Sequence, residues 1–242
     1  MPYHTVKQGE HISGLTAQYG FSDYKLIWED PENDSLRAMG RDPHVLFPGD
    51  KLFIREKVFK EEPGATGKIH TFEVKEVPLF LRLRVRDIDD SPVQKTPYLL
   101  ELDTDAEKGR TGDTATGTFH EKISPSAKEG DLELEATRPP LVKDGPEELY
   151  DLKFDLKIGH LNPKTTLSGQ QARLNNLGYF AGFSYDDTEQ LRWAIEEFQC
   201  DHMGMKPVKK VPVILPESED PAARTGVQDA ATIDAIESEH GI

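Results

Sequence analysis

Hydrophobic and polar positions change their period twice along the chain, and the changes divide it into three segments. In the first, 1–56, short alternating runs flank a helical stripe. "YHTV" reads as a strand. Ile12, Leu15, Thr16 and Tyr19 then recur at i, i+3, i+4 and i+7, the spacing of one helix face. Gly20 follows as a helix-ending residue. A second short helix is expected from Tyr24 to Asp30, stopped by Pro31, with a polar loop after it. "PGDKLFI" then gives a turn and a closing strand, so the expected order is strand, helix, helix, strand.

A polar Gly/Pro linker, 57–67, leads into the second segment, 68–161, where the period becomes two. Leu81, Leu83 and Val85 alternate with Arg82, Arg84 and Arg86. Leu132 and Leu134 alternate with acids. Leu152, Phe154, Leu156 and Ile158 alternate with Lys153, Asp155 and Lys157. Such runs are half-buried antiparallel strands, and several of them separated by turns predict a small β-sandwich. In the third segment, 162–242, the helical period returns. Ser168 and Gln171 form a capping box, Ala172, Leu174 and Leu177 supply an apolar face, and Gly178 closes the helix. Leu191, Ala194, Ile195 and Phe198 mark a second helix, and a third starts near Asp229 with Ile233 and Ile236 inward. An insertion, 205–224, carries the apolar run "VPVIL", a short strand or a docking hook. The fold class expected is α+β and multidomain.

A formal charge of −15 argues against a nucleic-acid partner, because phosphate binding needs a basic face. One cysteine, Cys200, excludes an internal disulfide and reads as a small, partly buried residue. The N-terminus has no basic stretch followed by an apolar run, and no window approaches 18 apolar residues. The expectation is synthesis in the cytoplasm, with no membrane span. Eight histidines are scattered without metal-ligand spacing, and no nucleophile motif, P-loop or CxxC is present. "DIDD", 87–90, lacks the spacing of a calcium loop and reads as a turn. No catalytic residue, metal or cofactor is expected, and nothing points to an enzyme. Arg82, Arg84 and Arg86 make a basic strand face. It contacts a partner or an anionic glycan, or it is a solvated face neutralised across strands by Glu101 and Asp103. The second reading is preferred.

"YHTVKQGEHISGLTAQYG" and "LFPGDKLFIRE", with Trp28 and Asn33, resemble the LysM family over nearly all of the first segment. The resemblance implies a groove for N-acetylglucosamine chains, such as peptidoglycan or chitin-like glycan. Its walls would be Gly9, Glu10, His11 and Ile12 on one side and Val45, Leu46, Phe47, Pro48 and Gly49 on the other. Two departures stand out: His11 occupies the usual Thr or Ser N-cap position, and the loop from Pro31 to His44 is long. Phe47 beside Pro48 is either an exposed sugar-stacking face or a core side chain. In the second segment Asp89, Pro97, Tyr98, Gly112, Asp113, Gly117 and Pro125 resemble the transthyretin-like (Ig-like) or carboxypeptidase-regulatory-like sandwiches, which imply a non-catalytic spacer or docking surface. The third segment, through Gln171, Leu174, Leu177, Gly178, Tyr179, Thr188, Ala194, Phe198, Gln199, Gly226, Asp229 and Thr232, is similar to the three-helix peptidoglycan-binding fold. That similarity implies a second binding surface around Tyr179, Phe180, Tyr185 and Gln199. The three in this order resemble LysM peptidoglycan-binding proteins associated with type VI secretion and related contractile machines. Two functions are then open. One is a non-catalytic wall-binding accessory that a contractile machine delivers to the periplasm or a target cell. The other is a cytoplasmic adaptor that docks spike, baseplate or effector proteins on reused binding folds. A muralytic enzyme is a distant third.

Overall fold

The computed structural model describes residues 3–58, 61, 63–71, 78–87, 91–110, 117–138, 148–184, 188–205 and 229–241. Tyr185, Asp89, Gly112, Asp113, Gly226, the rest of the expected turn at 88–90 and the insertion from 206 to 224 lie outside them. The chain forms two compact units, Met1–His160 and Leu161–Ile242. The first and second segments therefore belong to one unit, although each has its own core.

In the first core, strand β1 (Tyr3–Thr5) pairs antiparallel with β2 (Lys51–Phe53), His4 opposite Leu52. Helix α1 (Ile12–Gln18) buries Ile12, Leu15 and Thr16. Tyr19 is the C-cap and turns outward instead of completing the stripe. The helix ends in a Schellman closure, with Gly20 N–H donating to Ala17 O (3.0 Å) and Phe21 N–H to Thr16 O (2.9 Å). Helix α2 (Lys25–Trp28) is shorter than expected. Asp30 stops it and caps a 3-10 turn, Pro31–Asn33, by accepting from Glu32 N–H (3.1 Å). The expected polar loop contains a further helix, α3 (Asp34–Ala38), which delivers Leu36 to the core beside Ile27, Trp28, Leu46, Leu52 and Ile54.

Three-residue strands hold little by themselves, and Asn33 supplies what they lack. It is fully buried; its amide donates to Ile27 O (2.7 Å) and Phe53 O (3.0 Å), and its carbonyl accepts from Phe53 N–H (2.7 Å). One side chain thus stands in for a neighbouring strand along β2 and ties it to the end of α2.

The second core lies between two antiparallel sheets. One pairs β3 (Leu79–Arg84) with β6 (Thr118–Ile123). The other has the order β5-β4-β7-β8, from β4 (Pro97–Leu102), β5 (Ala106–Arg110), β7 (Glu129–Arg138) and β8 (Glu148–Lys157). Phe119 and Ile123 from the first sheet pack with Tyr98, Leu100, Leu132 and Leu134 from the second, and the Tyr98 ring stacks on Phe119 (4.5 Å between centroids). Glu101 and Asp103 do not neutralise the arginine strand. β4 lies in the other sheet, and the residues opposite Arg82 and Arg84 are His120 and Thr118.

The second unit packs α4 (Leu167–Asn176), α5 (Thr188–His202) and α6 (Ala230–His240) around Leu174, Leu191, Ala194, Ile195, Phe198 and Ile236. Asp229 caps α6 through Thr232 N–H (2.7 Å). The capping box at Ser168 does not form. Thr166 is the N-cap, accepting from Gly169 N–H (3.1 Å), and Ser168 Oγ accepts from Asn162 Nδ2 (2.8 Å). Gln171 is buried and donates to Ala181 O and Ser184 O, so it closes the following loop. Among the described residues no helix is long and apolar enough to cross a membrane.

Replacing Asn33 by alanine leaves three backbone groups, one buried and two partly buried, without their partner. We expect Asn33→Ala to lower unfolding stability by about 2–4 kcal/mol, read from the denaturant midpoint at unchanged slope. A change under about 0.5 kcal/mol would show that water replaces the amide at no cost.

Candidate functional site

The first wall begins in a tight turn. Glu10 N–H donates to Lys7 O (3.1 Å), Lys7 N–H donates to the Glu10 carboxylate (2.8 Å), and Gly9 takes φ +83°, as the third position of a type II turn demands. Glu10 faces the sheet. Its carboxylate is 2.7 Å from His4 Nε2, and His4 Nδ1 is 3.0 Å from the Tyr19 hydroxyl. Burial raises the Glu10 pKa, but the bonds from His4 and the Lys7 N–H outweigh it, and the carboxyl sits below its ordinary value. This Glu–His–Tyr relay had no sequence signal, since its members are six and fifteen residues apart.

His11 does cap α1: its Nδ1 accepts from Gly14 N–H (3.2 Å). The wall itself is covered. A Cβ at Gly159 (φ +75°) would lie 2.8 Å from Gly9 O and 2.9 Å from the His11 ring. A Cβ at Gly14 would lie 3.0 Å from Pro125 O, and one at Gly9 would lie 2.7 Å from His160 Nε2. Gln8 Nε2 donates to His160 O (3.0 Å). The end of β8 and the β6–β7 connection thus close on the Gly9–Gly14 stretch. His11 and Ile12 are buried. Burial pushes His11 below the ordinary imidazole value, with His44 adding to it. Burial does the same to His160, with Lys157 next and Glu129 opposing.

The second wall closes on itself. Val45 N–H donates to Asp42 O (3.1 Å), Phe47 N–H to the Asp50 carboxylate (3.0 Å) and Gly49 N–H to Val6 O (2.8 Å); Pro48 has no N–H. Asp50 is buried and pairs with Arg41 Nε (3.0 Å), whose guanidinium lies 5.5 Å from the Phe47 ring centroid. Val45 and Leu46 are buried, Phe47 and Pro48 are half-buried, and Gly49 is exposed. Of the nine expected wall residues, His11, Ile12, Val45 and Leu46 are therefore interior, not surface. Sequence reasoning missed Pro125, Gly159, His160, Arg41 and Asp50 as determinants of this region.

In the second unit, Gln199 is fully buried and donates to Thr232 Oγ1 (3.0 Å), so it joins α5 to α6 and is not a surface residue. Tyr179 is half-buried, edge-on to Phe198, with its hydroxyl donating to Asp201 (2.9 Å). Phe180 is exposed and meets Phe183 edge-on at 5.5 Å. Tyr185 lies outside the described residues.

Neutral His11 and His160 give the first unit a definite pH response. Their folded-state pKa values are depressed, so their contribution is complete above the unfolded value of about 6.5 and is lost as pH falls through the folded values. Thermal unfolding should shift to lower temperature as the pH falls below about 6.5. His11→Asn, which keeps a capping acceptor but cannot titrate, should flatten part of that slope. An unchanged slope would remove His11 as its source. No family model, curated protein or solved structure matches this chain.

Proposed function

We propose that the chain is a non-catalytic adaptor, in which a LysM-like module, a transthyretin-like sandwich and a peptidoglycan-binding-like bundle dock proteins rather than glycan. The observation that carries this reading is the close approach of Gly159 and His160 to Gly9 and His11. The expected wall already holds a polypeptide segment of its own unit. A sugar chain recognised in a shallow groove needs unspent backbone donors and an open apolar face. The N–H groups of Val45, Phe47 and Gly49 are spent internally, and Arg41 stands over Phe47. The resemblance to proteins of type VI secretion and related contractile machines directs the search for partners to spike, baseplate and effector proteins.

Co-sedimentation of the purified chain with peptidoglycan sacculi tests this reading. We expect no retention at physiological salt, and none that chitin oligomers compete. Salt-resistant sedimentation displaced by chitin oligomers, and lost in Phe47→Ala without a fall in melting temperature, would instead establish the glycan function.

A further inference from the structure

The two sheets that enclose the second core of the first unit present oppositely charged outer faces. On the two-stranded sheet the outward residues of β3 are Phe80, Arg82 and Arg84, and those opposite them on β6 are Lys122, His120 and Thr118. No acid occupies an outward position on either strand. Arg82 Nε donates to the His120 ring (3.4 Å), and among the described residues no carboxylate pairs with Arg82 or Arg84. That is unusual in a chain with 44 acids and a formal charge of −15.

The four-stranded sheet has the reverse character. Glu101, Asp131 and Asp155 stand abreast across β4, β7 and β8, and Glu135 is directly opposite Asp151. Like charges directly opposite one another on a sheet repel. Lys153, 3.0 Å from Glu133 and 3.7 Å from Asp131, and Lys157, opposite Glu129, offset part of this, and Lys108 and Arg110 share the outward register of β5; across β4, β7 and β8 seven acids still face two lysines. Residues i and i+2 on any strand are spaced by roughly 6.8 Å, so the Arg82–Arg84 pair has the same repeat as Asp131–Glu133. Phe80, exposed beside the arginines, has an apolar counterpart in the half-buried Leu99 opposite Glu133.

We propose that the occupant of the basic β3–β6 face is a second copy of this chain, docked through its acidic β4–β7–β8 face. The inference stands apart from the docking role of the first module. Because the two patches differ, the contact is heterologous: a pair keeps one free basic face on one copy and one free acidic face on the other, and growth is open-ended rather than a closed dimer. The overall negative charge limits the association to moderate ionic strength, where long-range repulsion is screened and direct ion pairs persist.

Sedimentation equilibrium of the full chain in about 0.1 M salt tests this. The mass of the wild-type chain should rise with concentration without a plateau at dimer. The double variant R82E/R84E has two acidic faces and the triple variant D131K/E133K/D155K, whose new lysines join Lys153 and Lys157, has a basic face on each side, so each alone should remain monomeric. An equimolar mixture should associate again, because alternating copies restore complementary contacts. The milder Arg84→Gln, at an exposed position, should weaken association without changing the melting temperature. A wild-type chain that stays monomeric up to about 1 mM, a closed dimer, or variants that associate as well alone as the wild type would overturn the proposal.

Discussion

The first unit depends on two backbones meeting where neither can carry a side chain. Gly159 approaches Gly9 O so closely that a Cβ would stand 2.8 Å from it, and both glycines have positive φ. From this contact follow the burial of His11, its neutral state and its use as a helix cap. The cap needs an unprotonated Nδ1, and burial keeps it unprotonated. A threonine at the cap would be indifferent to pH. Histidine couples the start of α1 to the packing of the neighbouring sheet.

Much of the remaining order in the small first core is supplied by polar side chains that act as backbone. Asn33 completes the hydrogen bonding of β2, and Asp50 closes the second wall by accepting from Phe47 N–H and Arg41. Asp30 caps the 3-10 turn while its other carboxylate oxygen holds Arg55 (2.6 Å). Short strands and four- or five-residue helices cannot be stable by local propensity. Buried, fully bonded polar groups make one arrangement of them specific, and each would cost more broken than it contributes intact.

Periodicity is enough to read the stripes of α1, α5 and α6 and the alternation of β3, β7 and β8, because burial on one face imposes a period locally. What it misses is long-range or hidden in polar residues. Glycine at 159 carries no sign that it meets residue 9. Thr166 and Ser168 are both good caps, and only the approach of Gly169 N–H to the Thr166 hydroxyl decides between them. Gln199 and Arg173 look like surface residues by type but are buried, with Gln199 bonded to Thr232 and Arg173 to Asn162 O and Gly169 O. Eight of the nine expected wall residues do fall in the two loops that precede α1 and β2, and Ile12 opens α1. Their availability is not legible in the sequence, because it depends on which backbone donors are already spent.

The acidic sheet face shows what decides register when electrostatics and packing disagree. The observed pairing of β7 with β8 sets Glu129 against Lys157 and Glu133 against Lys153, but also Asp131 against Asp155 and Glu135 against Asp151. A slip of two residues keeps every side chain on its face, so the hydrophobic alternation alone permits it. Pairing Asp131 with Lys157 and Glu135 with Lys153 would leave a single repulsive pair, Glu133 with Asp155. Gly130 pins β7 against β4, and the bond at the end of β8 holds that strand in the observed register. A Cβ at Gly130 would overlap Glu101 O, and Ile158 N–H donates to Lys128 O (2.7 Å) at the strand end. Moving β7 by two residues past β4 would place Lys128 or Leu132 at that crowded point. The row of acids abreast of Asp131 accompanies this backbone packing, is tolerated because it is exposed, and leaves a face whose charge Lys153 and Lys157 neutralise only in part.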